Sequence, residues 1–187
     1  MGPLGHIHRT CLKVMPRHIV ILGFMASGKT TVARALADRL ECAMIDLDSF
    51  ITEHERCSPA DFINRGGEEA FRKIESKYLR KALKKGQACV IALGGGTWTI
   101  AENRSMIKEH GCVTVWLDVP FETCWQRIEL GEASRPLAPD RDITNARYQA
   151  RSPLYELASI RVSADAKSID TIVDEIVTNF PRAQPSS

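Results

Sequence analysis

Nothing in this sequence approaches the roughly 20 consecutive apolar residues that a membrane-spanning helix needs, so no membrane partner is expected. The first seventeen residues lack the apolar centre of a signal peptide and read as a loose leader, disordered or vector-derived, outside the fold. A formal net charge of only +2, with dispersed basic residues, leaves no footprint for nucleic acid. Six cysteines (Cys11, Cys42, Cys57, Cys89, Cys112 and Cys124) show no C-x-x-C spacing. They read as buried free thiols of a reducing compartment, which points to a cytoplasmic protein. His6 and His8 form an H-x-H pair with no later ligand cluster, so no metal site is expected there. There is no internal repeat and no domain linker.

What is present is an ordinary globular composition: 187 residues, 44% hydrophobic and 26% charged. A chain of that length can bury roughly 70% of its unfolded surface as one domain, and residues 18–187 are assigned to it. Apolar runs without alternation predict strands covered on both faces at 18–23 (HIVILG), 88–94 (ACVIALG), 112–119 (CVTVWLDV) and, more weakly, 160–164 (IRVSA). A shorter fifth, AMIDLD (43–48), ends in two carboxylates. Helical patterns fall between them at 30–40, 68–86, 101–111, 120–131 and 168–180. Strands alternating with helices predict an α/β domain of three layers, a doubly wound parallel sheet with helices on both faces. The polar stretch GEASRPLAPDRDIT (131–144) is the least regular, and a lid is expected at about 131–147.

GFMASGKT (23–30) fits G-x-x-x-x-G-K-[ST] and lies between a strand and a helix, the context that gives this motif meaning. Gly23 permits a sharp exit from the strand, and Gly28 lets backbone approach phosphate oxygens. The N–H groups of Ala26, Ser27, Gly28, Lys29, Thr30 and Thr31 are expected to converge on phosphates at a helix N-terminus. Lys29 would bridge the β- and γ-phosphates, and Thr30 would offer its hydroxyl to Mg²⁺. The motif names a nucleotide and not a reaction.

The acceptor side rests on weaker signals. Asp46 and Asp48, two apart on a predicted strand, are expected to face one cleft, with Asp46 serving the metal and Asp48 accepting from an attacking hydroxyl. Asp48 could equally cap the next helix. Arg72 has Glu68 at i−4 and Glu75 at i+3, the pattern either of a solvated ion-pair lattice or of a ligand site. Gly94, Gly95 and Gly96 read as a tight turn or as backbone that nears a ligand. Arg135, in SRPL, fits a lid arginine that reaches the transferring phosphoryl group. Arg151, in RSPLYEL, fits a surface salt bridge or, with Arg72, a planar clamp for a carboxylate.

Taken in order, GFMASGKTTVARALA, DLD (46–48), GGEEAFRKIE, ALGGGT, SRPL and RSPLYEL resemble the shikimate kinase family, of the nucleoside-monophosphate-kinase-like P-loop fold. The resemblance spans His18 to about Phe180. It implies a five-stranded parallel sheet in the order 2-3-1-4-5, with a substrate-binding helical region at about 48–78. It implies phosphorylation of the shikimate 3-hydroxyl by ATP, giving ADP, with Mg²⁺ as cofactor and a monomeric enzyme. Asp48, Arg72, Arg151 and the glycine turn would hold shikimate; Thr30 and Asp46 would serve Mg²⁺. Lys29, Asp48 and Arg135 would be the catalytic residues, with Arg135 on the ATP phosphates and Lys167 a nucleotide contact. Ala26 and Ala33 stand where the family commonly has glycine. The family's adenine-stacking arginine has no clean counterpart, Arg127 being near. A gluconate or nucleotide kinase of the same fold, and a non-catalytic nucleotide-binding partner protein, are the alternatives.

Overall fold

The structure is a computed structural model in which residues 18–85, 88–131 and 140–180 are described. The leader, Gly86 and Arg135 therefore lie outside the described residues. Five strands form one all-parallel sheet in the order β2-β3-β1-β4-β5, as the resemblance implied. The strands are β1 (Ile19–Leu22), β2 (Ala43–Asp46), β3 (Ala88–Ala92), β4 (Val113–Asp118) and β5 (Ile160–Ser163).

β1 is the central strand, and all four of its side chains are buried because it has a strand on each side and helices over both faces. Ile19 registers with Val90 on one side and Val113 on the other. The two edge strands depart from the expected continuous burial. β5 alternates, with Ile160 and Val162 buried and Arg161 and Ser163 exposed. β2 is no more than half-buried. An edge strand covered on one side cannot bury every residue, and the exposed Arg161 pairs instead with Asp118 and lies over the Trp116 ring.

Among the described residues there are seven helices, α1 (Lys29–Arg39), α2 (Leu47–Glu55), α3 (Pro59–Lys84), α4 (Ala101–Glu109), α5 (Phe121–Glu129), α6 (Arg141–Tyr155) and α7 (Ile169–Thr178), and a 3-10 turn at Thr97–Thr99. α1 buries Val32, Ala33, Leu36 and Ala37, a stripe at helical spacing. α3 opens at Ser58, whose hydroxyl accepts from the Asp61 N–H, with Pro59 in the first turn. It is broken at Gly67 (φ 82°, ψ 165°), so the helix expected from residue 68 is its second half. That half buries Phe71, Glu75, Tyr78, Leu79, Ala82 and Leu83.

α6 was not expected as a helix before Arg151. It starts at Arg141, where the Asp140 side chain accepts from the N–H groups of Asp142 and Ile143. Residues 141–147 of the stretch read as a lid are therefore helical. The polar composition of residues 141–150 hides the period of α6. The cysteines differ too. Cys124 is a buried thiol, Cys57 and Cys112 are half-buried thiols outside any disulfide, and Cys42 is disulfide-bonded. Spacing in sequence does not reveal such pairing.

Candidate active site

Every candidate residue among those described sits at the carboxyl ends of the strands or on the helices that border them, where open α/β sheets bind ligands. The phosphate loop leaves β1 at Gly23. A Cβ there would lie 2.8 Å from the Leu117 carbonyl oxygen, so only glycine lets the loop lie against the end of β4. Gly28 takes φ 86° as the residue that opens α1. Ala26 takes φ 59°, a left-handed conformation that costs a residue with a Cβ about 1–2 kcal/mol. The position thus keeps the backbone that glycine would favour. The Ser27 hydroxyl is buried with no hydrogen-bond partner among the described residues, an orphan polar atom inside the loop.

Lys29 is buried, and its Nζ donates to the Phe24 carbonyl oxygen at 2.6 Å, folded back across the loop. The Thr30 hydroxyl donates to Asp46 Oδ2 at 2.6 Å, while Asp46 Oδ1 accepts from the Ser49 N–H at 2.9 Å. Asp46 is therefore the residue that caps α2, and Asp48 stands in its first turn. This corrects the picture of two aspartates on one strand: the chain turns helical at Leu47, so Asp46 ends β2 and Asp48 lies on α2. Thr31 is exposed one residue further along α1. Arg127 donates through Nη1 to the Ala26 carbonyl oxygen at 3.1 Å, so the arginine near the expected adenine position buttresses the loop. Lys167, beyond β5, pairs with Glu175 at 2.6 Å.

Beside the loop lies a cavity of about 350 Å³ that Asp48, Arg72, Gly94, Gly95, Gly96 and Arg151 all line, with Met25, Ile63 and Phe71 among its apolar walls. Residues from α2, α3, the β3 turn and α6 meet there, although more than a hundred positions separate Asp48 from Arg151. Glu68 Oε1 accepts from Arg72 at 2.7 Å and lies 3.9 Å from the Arg151 guanidinium, so the two arginines share one carboxylate. The bond to Arg72 holds the Glu68 carboxyl below its usual range.

Arg72 is not part of a solvated lattice. Its side chain is 17% exposed, and its second partner, Glu75, is 1% exposed. The Thr97 hydroxyl donates to Glu75 Oε1 at 2.7 Å. Burial pushes the Glu75 carboxyl above the usual glutamate range, against the pull of Arg72 and Thr97. Burial works to lower the Arg72 pKa, but Glu75 and Glu68 outweigh it and keep the guanidinium charged. Sequence reading had noted Glu75 only as a spacing partner; its buried place on the α3 stripe, four residues after Phe71, was the available signal. A Cβ on Gly96 would collide with the Arg72 guanidinium, and one on Gly94 would lie 2.7 Å from both Asp48 Oδ1 and Glu75 Oε1. Gly94 and Gly96 are thus required by side chains that line the cavity, whereas a Cβ on Gly95 would meet nothing closer than 3.6 Å.

The family model described as shikimate kinase matches residues 25–181. The chain belongs to the shikimate kinase family. As a member it is an ATP-using phosphotransferase with an alcohol group as acceptor. Among curated shikimate kinases, that of Ruegeria pomeroyi is 39% identical over 180 residues, covering 94% of this chain and 87% of that protein. That of Sulfurihydrogenibium sp. is 36% identical over 168 residues, covering 89% and 99%. A solved shikimate kinase from Acinetobacter baumannii, in complex with shikimate, has a TM-score of 0.81 at 29% identity over 89% of this chain and 93% of that one. A gluconokinase from Sinorhizobium meliloti, at 18% identity and a TM-score of 0.63, shares the fold alone.

Proposed function

We propose that this chain transfers the γ-phosphoryl group of ATP to the 3-hydroxyl of shikimate, giving shikimate 3-phosphate and ADP. The observation that carries the reading is the convergence of Arg72 and Arg151 on one cavity beside the phosphate loop. Two planar guanidinium groups suit a carboxylate, and a neutral or a phosphorylated acceptor would call for another arrangement. Shikimate would displace Glu68 from the pair by offering its own carboxylate. Asp48 would take the ring hydroxyls, accepting the proton of the attacking 3-hydroxyl as its oxygen bonds to the γ-phosphorus and ADP departs. The backbone of Gly94, Gly95 and Gly96 would close the far wall.

The orphan Ser27 hydroxyl and the N–H groups from Ala26 to Thr31 suit phosphate oxygens, with Lys29 swinging from Phe24 to the β- and γ-phosphates. Thr30 and Asp46, a hydroxyl and a carboxylate 2.6 Å apart, form an all-oxygen donor set of the kind that Mg²⁺ accepts. When bound, the ion would neutralise charge on the phosphates. Arg135 would reach the transferring group from a lid, and Lys167 would lie toward the nucleotide. Of a monomeric state and a cytoplasmic location, the need for ATP supports the second. The Cys42 disulfide is the observation that weighs against the latter.

The test is a coupled ADP-release assay with shikimate set against gluconate, nucleoside monophosphates and other hydroxy acids. Shikimate should exceed every other acceptor in kcat/KM by at least about 100-fold, the worth of a matched ionic clamp over a mismatched one. Preference for gluconate would move the chain to another kinase of the fold. Tight ATP binding with no acceptor-dependent turnover would make it a nucleotide-binding partner protein.

A further inference from the structure

The turn from Gly94 to Thr99 touches both halves of the arginine clamp. On the α3 side, Thr97 is fully buried and donates to Glu75 Oε1, leaving Oε2 to hold Arg72. On the α6 side, the buried Tyr155 hydroxyl donates to the Gly95 carbonyl oxygen at 2.7 Å. Arg151 lies one helical turn before Tyr155, and burial pushes the tyrosine up to about 12 while a bond from Arg151 pulls the other way. The Trp98 indole N–H donates to the Leu154 carbonyl oxygen at 2.7 Å, which ties the same turn to the same end of α6. From behind, Asn103 donates to the Thr97 carbonyl oxygen at 3.0 Å, and Arg104 donates to those of Trp98 and Thr99 at 2.8 and 2.9 Å. Thr97 and Tyr155 are absent from the cavity lining.

We propose that Thr97 and Tyr155 are positioning residues for the acceptor, registering Arg72 and Arg151 against one glycine turn so that both guanidinium groups converge at a fixed spacing. The inference deepens the acceptor reading above and rests on it. A carboxylate clamp works only when its donors are held within about 0.5 Å of the productive geometry, and a misplacement of about 1 Å can cost 100-fold in rate. Without the Thr97 hydroxyl, Glu75 Oε1 would stand buried and undonated, close to Asp48, and the carboxylate would turn further onto Arg72 and draw it from the cavity. Without the Tyr155 hydroxyl, the Gly95 carbonyl would lose its bond and Arg151 would lose its neighbour.

Thr97→Val keeps the shape and removes the donor; Thr97→Ser restores it; Tyr155→Phe removes one oxygen. Steady-state kinetics with shikimate and ATP should show the shikimate KM rising about 10-fold in Thr97→Val and about 5-fold in Tyr155→Phe, magnitudes set by one buried hydrogen bond each. Thr97→Ser should return to within about twofold, and the KM for ATP should stay within about twofold throughout. In an Arg72→Lys background, Thr97→Val should have little further effect, because both changes act on one guanidinium. An unchanged shikimate KM in Thr97→Val and Tyr155→Phe, equal rises for both substrates, or additivity with Arg72→Lys would overturn the proposal. If Thr97→Val does not fold, Tyr155→Phe decides alone. A wild-type enzyme with ATP turnover on another acceptor but none on shikimate would sink the underlying reading first, a result distinct from any of these.

Discussion

The phosphate loop and the acceptor cavity sit side by side but are built by opposite means. The loop is eight consecutive residues, 23–30, and its working groups are largely backbone N–H groups aimed by a strand, a turn and a helix start. The cavity is made of side chains from α2, α3 and α6 with the glycine backbone after β3, and its clamp groups lean on neighbours: Arg72 on Glu68 and Glu75, Glu75 on Thr97, Arg151 on Tyr155. A site of the first kind tolerates change outside its own segment. A site of the second kind is exposed to change wherever one of its supports lies.

Lys29→Ala should give the largest effect and the most one-sided. Loss of the cation on the transferring phosphates should lower kcat by about 1,000-fold or more, while shikimate binding measured by calorimetry stays near that of the wild type. Equal loss of acceptor binding would show that the two halves are not separable.

Next comes the contrast between the two arginines. Arg151→Ala should raise the shikimate KM by about 10- to 100-fold, the worth of charge-assisted hydrogen bonds, with the KM for ATP near normal. Arg72→Ala should do the same and also destabilise the fold by about 2–4 kcal/mol, since it strands the buried Glu75; the partial exposure of Arg72 keeps this in the lower part of the range for a broken buried pair. Thermal denaturation beside kinetics separates the two. A melting temperature as high in Arg72→Ala as in Arg151→Ala would mean that Glu75 does not depend on Arg72.

A smaller effect follows from the raised Glu75 pKa. The folded state holds this proton more tightly than the unfolded chain, so its stabilising contribution is present at low pH and is lost as pH rises through the folded value. Its service to Arg72 runs the other way, because only the ionised carboxylate grips the guanidinium. Acidification just above the usual glutamate range should therefore raise the shikimate KM before it affects the KM for ATP, as KM profiles against pH for both substrates will reveal. Parallel profiles would assign the titration elsewhere.

The smallest effect is expected one residue away from Arg72. Lys73 pairs with Glu69, but both side chains are mostly exposed, and such pairs contribute little. Lys73→Ala should leave both KM values unchanged and the melting temperature within about 2 °C.

That neighbouring pair also shows why the two regions differed in legibility. Arg72 and Lys73 each have a glutamate at i−4, and nothing local separates a buried clamp from a surface ornament. The difference is made by Gly96, Thr97 and the floor of the cavity, more than twenty positions later in the chain. Asp48 was misplaced for a related reason: whether DLD continues a strand or begins a helix depends on Asp46 turning back to cap Ser49. The first part of α6 went unseen because its polar sequence hides a helix that packing and the Asp140 cap sustain.

By itself the sequence determined the parallel α/β sheet and the nucleotide loop, because unbroken apolar runs and a glycine-lysine-threonine turn act through neighbours along the chain. The family's ordered segments carried the rest of the fold. Tertiary structure alone decided that Arg72 is held by a buried carboxylate, that Asp46 and not Asp48 caps α2, and that Thr97 and Tyr155 stand behind the clamp. Those are properties of hydrogen bonds and burial between residues far apart in sequence, and no local pattern encodes them.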